Sequence, residues 1–257
     1  MDKTVLAIVA HPDDAEFLCA GTLALLHQKG WKIHMATMTA GDCGSKKLGK
    51  AKISAIRRKE ATNSANILLA QYECLGFKDL FITYDQPSIV KVVGLIRKVR
   101  PNLVLTMSPS CYMVDHELTS KLVQTACFGG GLVNVETPGF IPLDCIPHLY
   151  YADAMEGKDK FGTKINASTI INITSVIDTK TRMLACHESQ REWLRDHHGM
   201  DEYILSMKRQ AEDRGKEIGV QFAEGFRQHL GHAFPQDNII KNELPEFTHL
   251  LSSEKGL

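Results

Sequence analysis

Two carboxylates and a histidine stand together near the start of the sequence, directly after a continuous apolar run. The tetrapeptide is His11-Pro12-Asp13-Asp14. A tight turn brings residues three positions apart within about 7 Å, so His11 and Asp14 could bind one metal ion at about 2.0–2.2 Å. Asp13, between them, would point elsewhere and be free for proton transfer. The alternative interpretation is a plain helix start, in which Asp13 and Glu16 form a capping box.

The elements around this motif are predicted from hydrophobic periodicity. Strand and helix signals alternate along the first half of the chain, which is typical of βαβ units and a parallel sheet. Strands are predicted at residues 5–10, 31–39, 72–77, 103–107, 148–154 and 170–173, and helices at 16–28, 50–70, 89–99, 175–186 and 201–218. The predicted fold class is therefore α/β, a doubly wound and mostly parallel sheet in a single domain.

A third metal ligand is expected from the cluster Asp115-His116-Glu117, which follows the fourth predicted strand. In the usual 3-2-1-4 strand order this strand lies beside the first, and ligands bind where the order reverses. His116 could therefore meet His11 and Asp14. Two histidines and one carboxylate leave a fourth position for water, as in catalytic zinc sites. Taken alone, His116 would instead be interpreted as a surface or helix-start histidine.

Composition argues against nucleic-acid-binding, membrane-spanning and secreted proteins. The 257 residues include 30 Lys+Arg and 30 Asp+Glu, and this zero net charge argues against a nucleic-acid partner. No apolar run approaches the roughly 20 residues that span a bilayer, and the N-terminus lacks the layout of a signal peptide. Seven scattered cysteines without a CxxC pair indicate reduced thiols. We expect a cytoplasmic protein with a small-molecule substrate and no membrane partner; a homo-oligomer stays open.

The motifs resemble those of the PIG-L/LmbE-like zinc-dependent N-acetylglucosaminyl deacetylases. The family's His-Pro-Asp-Asp turn is matched at residues 11–14, and its distal Asp-His at residues 115–116. Further similar stretches lie at residues 39–41, 57–60 and 187–190, so the resemblance covers most of residues 4 to 190. It implies a Rossmann-like sheet and Zn²⁺, or a similar divalent metal. The implied ligands are His11, Asp14 and His116, with Asp13 as general base.

One position departs from the family pattern. Many members carry His-Pro-Asp-His at the second motif, and its first histidine helps to stabilise the oxyanion. Here that position is Met113, whose side chain has no hydrogen-bond donor. Oxyanion stabilisation is then expected from the metal, helped by Tyr112 or by His187.

The activity implied by the resemblance is removal of an acetyl group from an N-acetylated amino sugar or glycoside by a metal-activated water. Arg57 and Asp79 are expected to contact sugar hydroxyls at the carboxyl edge of the sheet. The alternatives are an ion pair of Arg57 with Glu60 and a plain turn role for Asp79. An amidase for a non-sugar N-acyl substrate and a non-enzymatic, metal-stabilised binding protein are the competing functions. A nucleotide-binding oxidoreductase is disfavoured because the first βα turn lacks G-x-G-x-x-G.

Two segments are predicted from composition alone. The stretch 129–147 is rich in Gly and Pro and is expected to form a lid or specificity loop. The last twenty or so residues are polar and predict a surface arm at 236–257, after one deacetylase-like domain at 1–235. The histidines without ligand spacing are expected at the surface: His197, His198, His229 and His232.

Overall fold

Eight strands form one sheet in the computed structural model, which describes residues 3–191 and 202–251. The strands are β1 Thr4–Val9, β2 Lys32–Thr39, β3 Gln71–Phe77, β4 Leu103–Thr106, β5 His148–Ala152, β6 Thr169–Asn172, β7 Ala223–Gln228 and β8 Thr248–Leu250. The described helices are α1 Asp14–Leu18, α2 Ala20–Gln28, α3 Lys50–Asn66, α4 Gln86–Val99, α5 Val114–Gly129, α6 Ile177–Ala185, α7 Glu202–Ile218 and α8 Ile239–Glu243. None of these helices is long and apolar enough to cross a membrane.

The strand order is β3-β2-β1-β4-β5-β7-β6-β8. Strands β3, β2, β1, β4 and β5 pair in parallel, and β7, β6 and β8 add antiparallel pairs. The chain runs outward from β1 in one direction and returns to β4 on its other side. The predicted doubly wound, mostly parallel sheet is confirmed, with its switch point between β1 and β4.

Strand β1 is buried on both faces, as its uninterrupted apolar sequence predicts. Val5, Ala7 and Val9 face a core shared with α2, α6 and α7. Leu6 and Ile8 face a second core shared with α4 and α5. Helices therefore cover both sides of the sheet, and the end of β1 opens onto the middle of its carboxyl edge.

The helix predicted at 16–28 is two helices, α1 and α2, separated at Cys19, whose φ of −142° and ψ of 6° are not helical. The cause is a carboxylate from β7. Glu224 accepts hydrogen bonds from the backbone N–H groups of Gly21 and Thr22, at 2.8 and 2.7 Å. The buried Lys180 ammonium pairs with Glu224 and donates to the carbonyl of Phe17 at 2.8 Å. Thr22, which interrupts the apolar stripe in the sequence, donates its hydroxyl to the same carboxylate.

The described part of the predicted surface arm is integrated into the sheet, which corrects that expectation. Strand β8 pairs with β6 and forms the last strand at this edge. Ile240 and Leu244 are fully buried in the core that β1 shares with α2. The burial of this segment could not be predicted from its polar composition because only a few apolar side chains anchor it.

The histidines expected at the surface differ in placement. His232 is exposed, whereas His229 is half-buried and its Nδ1 shares a hydrogen bond with the Tyr151 hydroxyl at 2.9 Å. It also packs on Phe234, with ring centroids 4.1 Å apart. His197 and His198 lie outside the described residues.

Candidate active site

The turn between β1 and α1 directs its two aspartates to different sides. Asp13 adopts a φ of 106°, an uncommon left-handed conformation that aspartate tolerates better than most residues. Asp14 begins α1, and its Oδ2 accepts a hydrogen bond from the backbone N–H of His11 at 2.8 Å. This contact closes the turn and folds the Asp14 carboxylate back toward the His11 ring.

His11, Asp14 and His116 converge as predicted. His11 Nδ1 lies 3.4 Å from Asp14 Oδ2, and His116 Nε2 lies 3.5 Å from Asp14 Oδ1. One donor atom of each residue falls within 4.8 Å of the other two, and all three residues are buried. A tetrahedral metal at about 2.1 Å from each ligand would separate the ligand atoms by about 3.4 Å. The donor set therefore fits a catalytic divalent ion such as zinc.

The second nitrogen of each histidine is engaged on the opposite side of the ring. His11 Nε2 contacts Asp79 Oδ1 at 3.1 Å and Asp115 Oδ2 at 3.3 Å. His116 Nδ1 lies 3.2 Å from the sulfur of Cys111. Metal-bound histidines usually donate their other N–H to such a partner, which fixes the ring and raises its basicity. The nitrogens left facing Asp14 are thus Nδ1 of His11 and Nε2 of His116.

Negative charge dominates the electrostatics of this cluster. Burial tends to raise the pKa of Asp14, but the His116 charge and the hydrogen bonds of His11 hold it well below its usual range. Burial tends to lower the pKa of His11, yet hydrogen bonds to Asp115, Asp14 and Asp79 raise it well above the ordinary value. The surroundings thus favour positive charge between these side chains, which a divalent cation would supply.

Two side chains from distant elements hold the Asp13 carboxylate. Its Oδ2 accepts a hydrogen bond from the Tyr203 hydroxyl at 2.6 Å and one from Arg57 Nη2 at 3.2 Å. Arg57 also donates to the carbonyl of Pro12 at 2.7 Å. Burial raises the pKa of Asp13, partly offset by the Arg57 charge, and the neighbouring Asp14 charge raises it further. Within the described residues both donors reach the same oxygen, Oδ2, and Oδ1 accepts neither of these hydrogen bonds.

Arg57 and Asp79, predicted to contact a sugar, both line the cavity but bind protein groups. Arg57 is 4% exposed and engages Pro12 and Asp13. Its alternative partner, Glu60, instead accepts two hydrogen bonds from Ser189. Asp79 is also 4% exposed and bonds to His11. Both residues hold other protein groups at the cavity wall, and their contact with a sugar stays a prediction.

Tyr112 and His187, predicted to assist the oxyanion, lie at very different depths. Tyr112 is 66% exposed at the cavity and packs edge-on against His116, with ring centroids 5.4 Å apart. His187 is fully buried, 3.0 Å from Glu16 Oε1, and does not line the cavity. Burial tends to lower the pKa of His187, but the Glu16 charge raises it above its ordinary value. The structure brings Tyr112 next to the candidate metal ligand His116, whereas His187 is buried outside the cavity lining.

The cavity lined by the three candidate metal ligands has a volume of about 1690 Å³. Its outer wall is formed by residues between 155 and 164 and by α7. The segment 129–147, expected to be the specificity loop, contributes no lining residue. Arg97 holds that segment away from the site by donating to the carbonyls of Gly130, Leu132 and Val135. The sequence could not show this because a buried arginine, not glycine or proline content, fixes the loop.

Two residues that contact the predicted ones, Tyr203 and Cys111, carry no signal in the sequence. Tyr203 lies 190 positions from the aspartate that it binds, and no motif surrounds it. Cys111 lies five positions before His116, a spacing that carries no ligand signal. Asp115 was part of the recognised Asp-His pair, but its contact with His11 depends on the packing of β4 beside β1.

The sequence is similar to a known protein family and to several characterised proteins. Residues 6–127 match the family model described as PIG-L: GlcNAc-PI de-N-acetylase. Diacetylchitobiose deacetylase from Thermococcus kodakarensis is 26% identical over 241 residues, which cover 88% of this chain and 82% of that protein. The 4-oxalmesaconate hydratase of Pseudomonas putida is 26% identical over 196 residues, covering 73% and 74% of the two chains.

A solved structure shares the fold over almost the whole chain. The N,N′-diacetylchitobiose deacetylase of Pyrococcus horikoshii superposes with a TM-score of 0.77 at 24% identity, covering 92% of this chain and 88% of that one. The resemblance inferred from the motifs is confirmed by the family match, which contains all three candidate metal ligands. The part of the chain that matches the PIG-L family model, residues 6–127, therefore contains the whole candidate metal site.

Proposed function

We propose that the chain is a metal-dependent N-deacetylase that hydrolyses the acetamido group of an N-acetylated amino sugar or glycoside. The observation that carries the proposal is the convergence of His11, Asp14 and His116 beside an oriented Asp13. The family description and the diacetylchitobiose deacetylase relative support the substrate class. Two histidines and one carboxylate support zinc as the metal. Seven unpaired cysteines support a reducing, cytoplasmic location.

When bound, such an ion polarises a carbonyl oxygen and lowers the pKa of water. Asp13 then accepts the proton of the attacking water through Oδ1, and the same oxygen carries it to the leaving amine. Tyr203 and Arg57 hold Oδ2, so the carboxylate keeps one orientation through both transfers. Asp79, Asp115 and Cys111 orient the two ligand histidines.

The position of Met113 leaves the carbonyl oxygen of the substrate without the usual histidine donor. Tyr112, exposed beside His116, is our candidate for a hydroxyl that reaches this oxygen. His187 lies too deep to touch substrate, and we assign it an electrostatic role. Together with Arg57, its charge opposes the effect of burial on the pKa of Asp13.

The test is release of acetate and free amine from N-acetylglucosamine and its glycosides, before and after chelation, with metal content measured in parallel. Chelation should abolish release, and added Zn²⁺ should restore it. His116→Ala should lose metal and activity, whereas His232→Ala, at an exposed histidine, should retain both. Full activity in metal-free protein would contradict the proposal.

The hydratase relative supports a second candidate, addition of water to an unsaturated acid. The same metal site could activate water for either reaction. Acetate release distinguishes them, because hydration releases no acid fragment. An amidase acting on a non-sugar N-acyl compound would release an amine from such compounds and none from the glycosides.

A further inference from the structure

Leu80 presents an exposed apolar side chain to the cavity that the candidate metal ligands line. Its side chain is 59% exposed. It occupies the third position of a tight turn, which is closed by a hydrogen bond from the N–H of Phe81 to the carbonyl of Lys78 at 3.0 Å. Its φ of 69° is usual for glycine at such a position and uncommon for leucine. An apolar side chain thus lies where the backbone geometry alone would favour glycine.

Hydrogen bonds fix the backbone of this turn beside a candidate metal ligand. The N–H of Leu80 donates to Asp115 Oδ2 at 2.8 Å, and the N–H of Asp79 donates to Asp42 Oδ1 at 2.9 Å. The side chains of Asp79 and Asp115 both contact the ring of His11. The backbone of Leu80 therefore has a fixed position relative to this ring before a ligand arrives, which lowers the entropic cost of a ligand contact.

Further apolar groups line the cavity from the loop before α5. The half-buried Met113 is one of them, and its unbranched thioether side chain adapts to ligands of different shape. Tyr112 precedes it, and the Tyr112 ring packs edge-on against His116. The part of the cavity next to the two ligand histidines is therefore lined by apolar side chains.

The acyl side of a bound amide is expected to face these apolar side chains. In the proposed function, Asp13 delivers a proton to the leaving amine. Arg57 of α3 and Tyr203 of α7 hold Asp13, and both helices pack on one face of the sheet. Leu80 and Met113 precede α4 and α5, which pack on the opposite face. In a planar amide the nitrogen and the acyl carbon lie on different sides of the carbonyl group, so an amine beside Asp13 directs the acyl chain toward Leu80 and Met113.

An acetyl group would cover little of this apolar surface. It has one carbon beyond the carbonyl, whereas the side chain of Leu80 alone is more than half exposed. The cavity volume of about 1690 Å³ leaves room for additional carbons. Each further methylene that binding removes from water should increase affinity about fourfold.

We propose that Leu80 and Met113 form an acyl subsite, and that N-propionyl and N-butyryl groups are hydrolysed at least as well as N-acetyl groups. The chemistry is the same for each: water adds to the carbonyl carbon, the C–N bond breaks, and the products are a carboxylate and an ammonium group. The inference rests on the proposed deacetylase function and adds the class of acyl group, which the metal site does not specify.

Truncation of Leu80 tests this inference. Leu80→Ala removes most of the apolar side chain and keeps the backbone N–H. Leu69→Ala is the matched control, because Leu69 also has a positive φ, of 52°, is 83% exposed and does not line the cavity. The substrates are N-acetyl-, N-propionyl- and N-butyrylglucosamine, and the assay measures release of free amine. Leu80→Ala should lower kcat/KM for the butyryl compound about tenfold, the effect of two methylenes, and leave the value for the acetyl compound unchanged. Leu69→Ala should match the wild type for all three.

Binding to metal-loaded Asp13→Asn protein, measured by calorimetry with and without Leu80→Ala, separates failure of the acyl subsite from failure of the reaction. About tenfold weaker binding of N-butyrylglucosamine after Leu80→Ala, with unchanged binding of N-acetylglucosamine, supports the acyl subsite even if no sugar is hydrolysed, in which case the proposed function is wrong. Equal binding of the butyryl compound to both proteins overturns the inference. A wild-type kcat/KM that falls from acetyl to butyryl, or an equal effect of Leu69→Ala, overturns it as well.

Discussion

Replacing Asp13 and Asp14 by asparagine, one at a time, should separate proton transfer from metal binding. In Asp13→Asn the amide oxygen can still accept the hydrogen bonds that Tyr203 and Arg57 donate to Oδ2. The side chain thus keeps its orientation and loses only its basicity. Loss of a general base lowers kcat by about 10²–10⁴, or roughly 3–5 kcal/mol of transition-state stabilisation. Metal content should not change.

Asp14→Asn should have the opposite phenotype. Asp14 lies between the two ligand histidines, 3.4 Å from His11 and 3.5 Å from His116. Loss of an outer partner of a metal ligand already costs about 10–100-fold in metal affinity, so loss of a ligand charge should cost more than about 100-fold. The activity that remains should be recovered in part by excess metal.

The assay is metal affinity by competition with a chromophoric chelator, together with kcat at saturating metal, for both variants and the wild type. Loss of metal from Asp13→Asn, together with retained metal and activity in Asp14→Asn, would refute the assigned roles of both aspartates. A normal kcat for metal-loaded Asp13→Asn would instead remove Asp13 from the mechanism. A thermal unfolding curve for each variant excludes a folding defect as the cause.

Three further predictions concern residues outside the motif. Cys111→Ala should weaken metal affinity about 10–100-fold by removing the sulfur that contacts a ligand histidine, whereas Cys127→Ala, at another buried cysteine, should not; equal affinities would contradict the contact. Arg97→Ala should lower the free energy of unfolding by roughly 3 kcal/mol or more, as measured by urea denaturation, and leave kcat/KM of the folded enzyme unchanged. A changed substrate preference would instead show that the 129–147 loop affects specificity. Lys180→Met should lower the free energy of unfolding by about 3–5 kcal/mol because Glu224 then lacks its buried cation. The double variant Lys180→Met/Glu224→Gln should recover part of this free energy; no recovery would refute the pairing.

Much of the candidate metal site could be predicted from the sequence because topology, and not fine packing, determines it. A buried apolar strand followed by His11-Pro12-Asp13-Asp14 must place the turn at the carboxyl edge of a parallel sheet. The strand order of doubly wound sheets then brings His116 to the same edge, although more than a hundred residues separate it from the turn.

The other contacts could not be predicted because they depend on single side chains that arrive from distant elements. Tyr203 comes from α7, and Glu224, which splits the first helix, comes from β7. The guanidinium of Arg57, which is predicted to contact a sugar, also binds the Pro12 carbonyl and the Asp13 carboxylate, and no motif announces these two partners. Charge and periodicity do not encode which of several acceptors a long side chain finally reaches.

The C-terminal segment packs near the start of the chain, and the fluorescence of Trp31 should report whether this contact is formed. The indole N–H of Trp31, 3% exposed, donates to Glu243 of α8 at 3.2 Å, and Lys3 pairs with the same carboxylate. The sequence has two tryptophans, so Trp193→Phe would leave the fluorescence of Trp31 as the only indole signal. If α8 and β8 detached from the rest of the protein, the Trp31 indole would become exposed to water and its fluorescence emission would shift to longer wavelength. In a chain that ends at residue 236, the same shift should accompany self-association, because the unpaired edge of β6 would be open to another molecule.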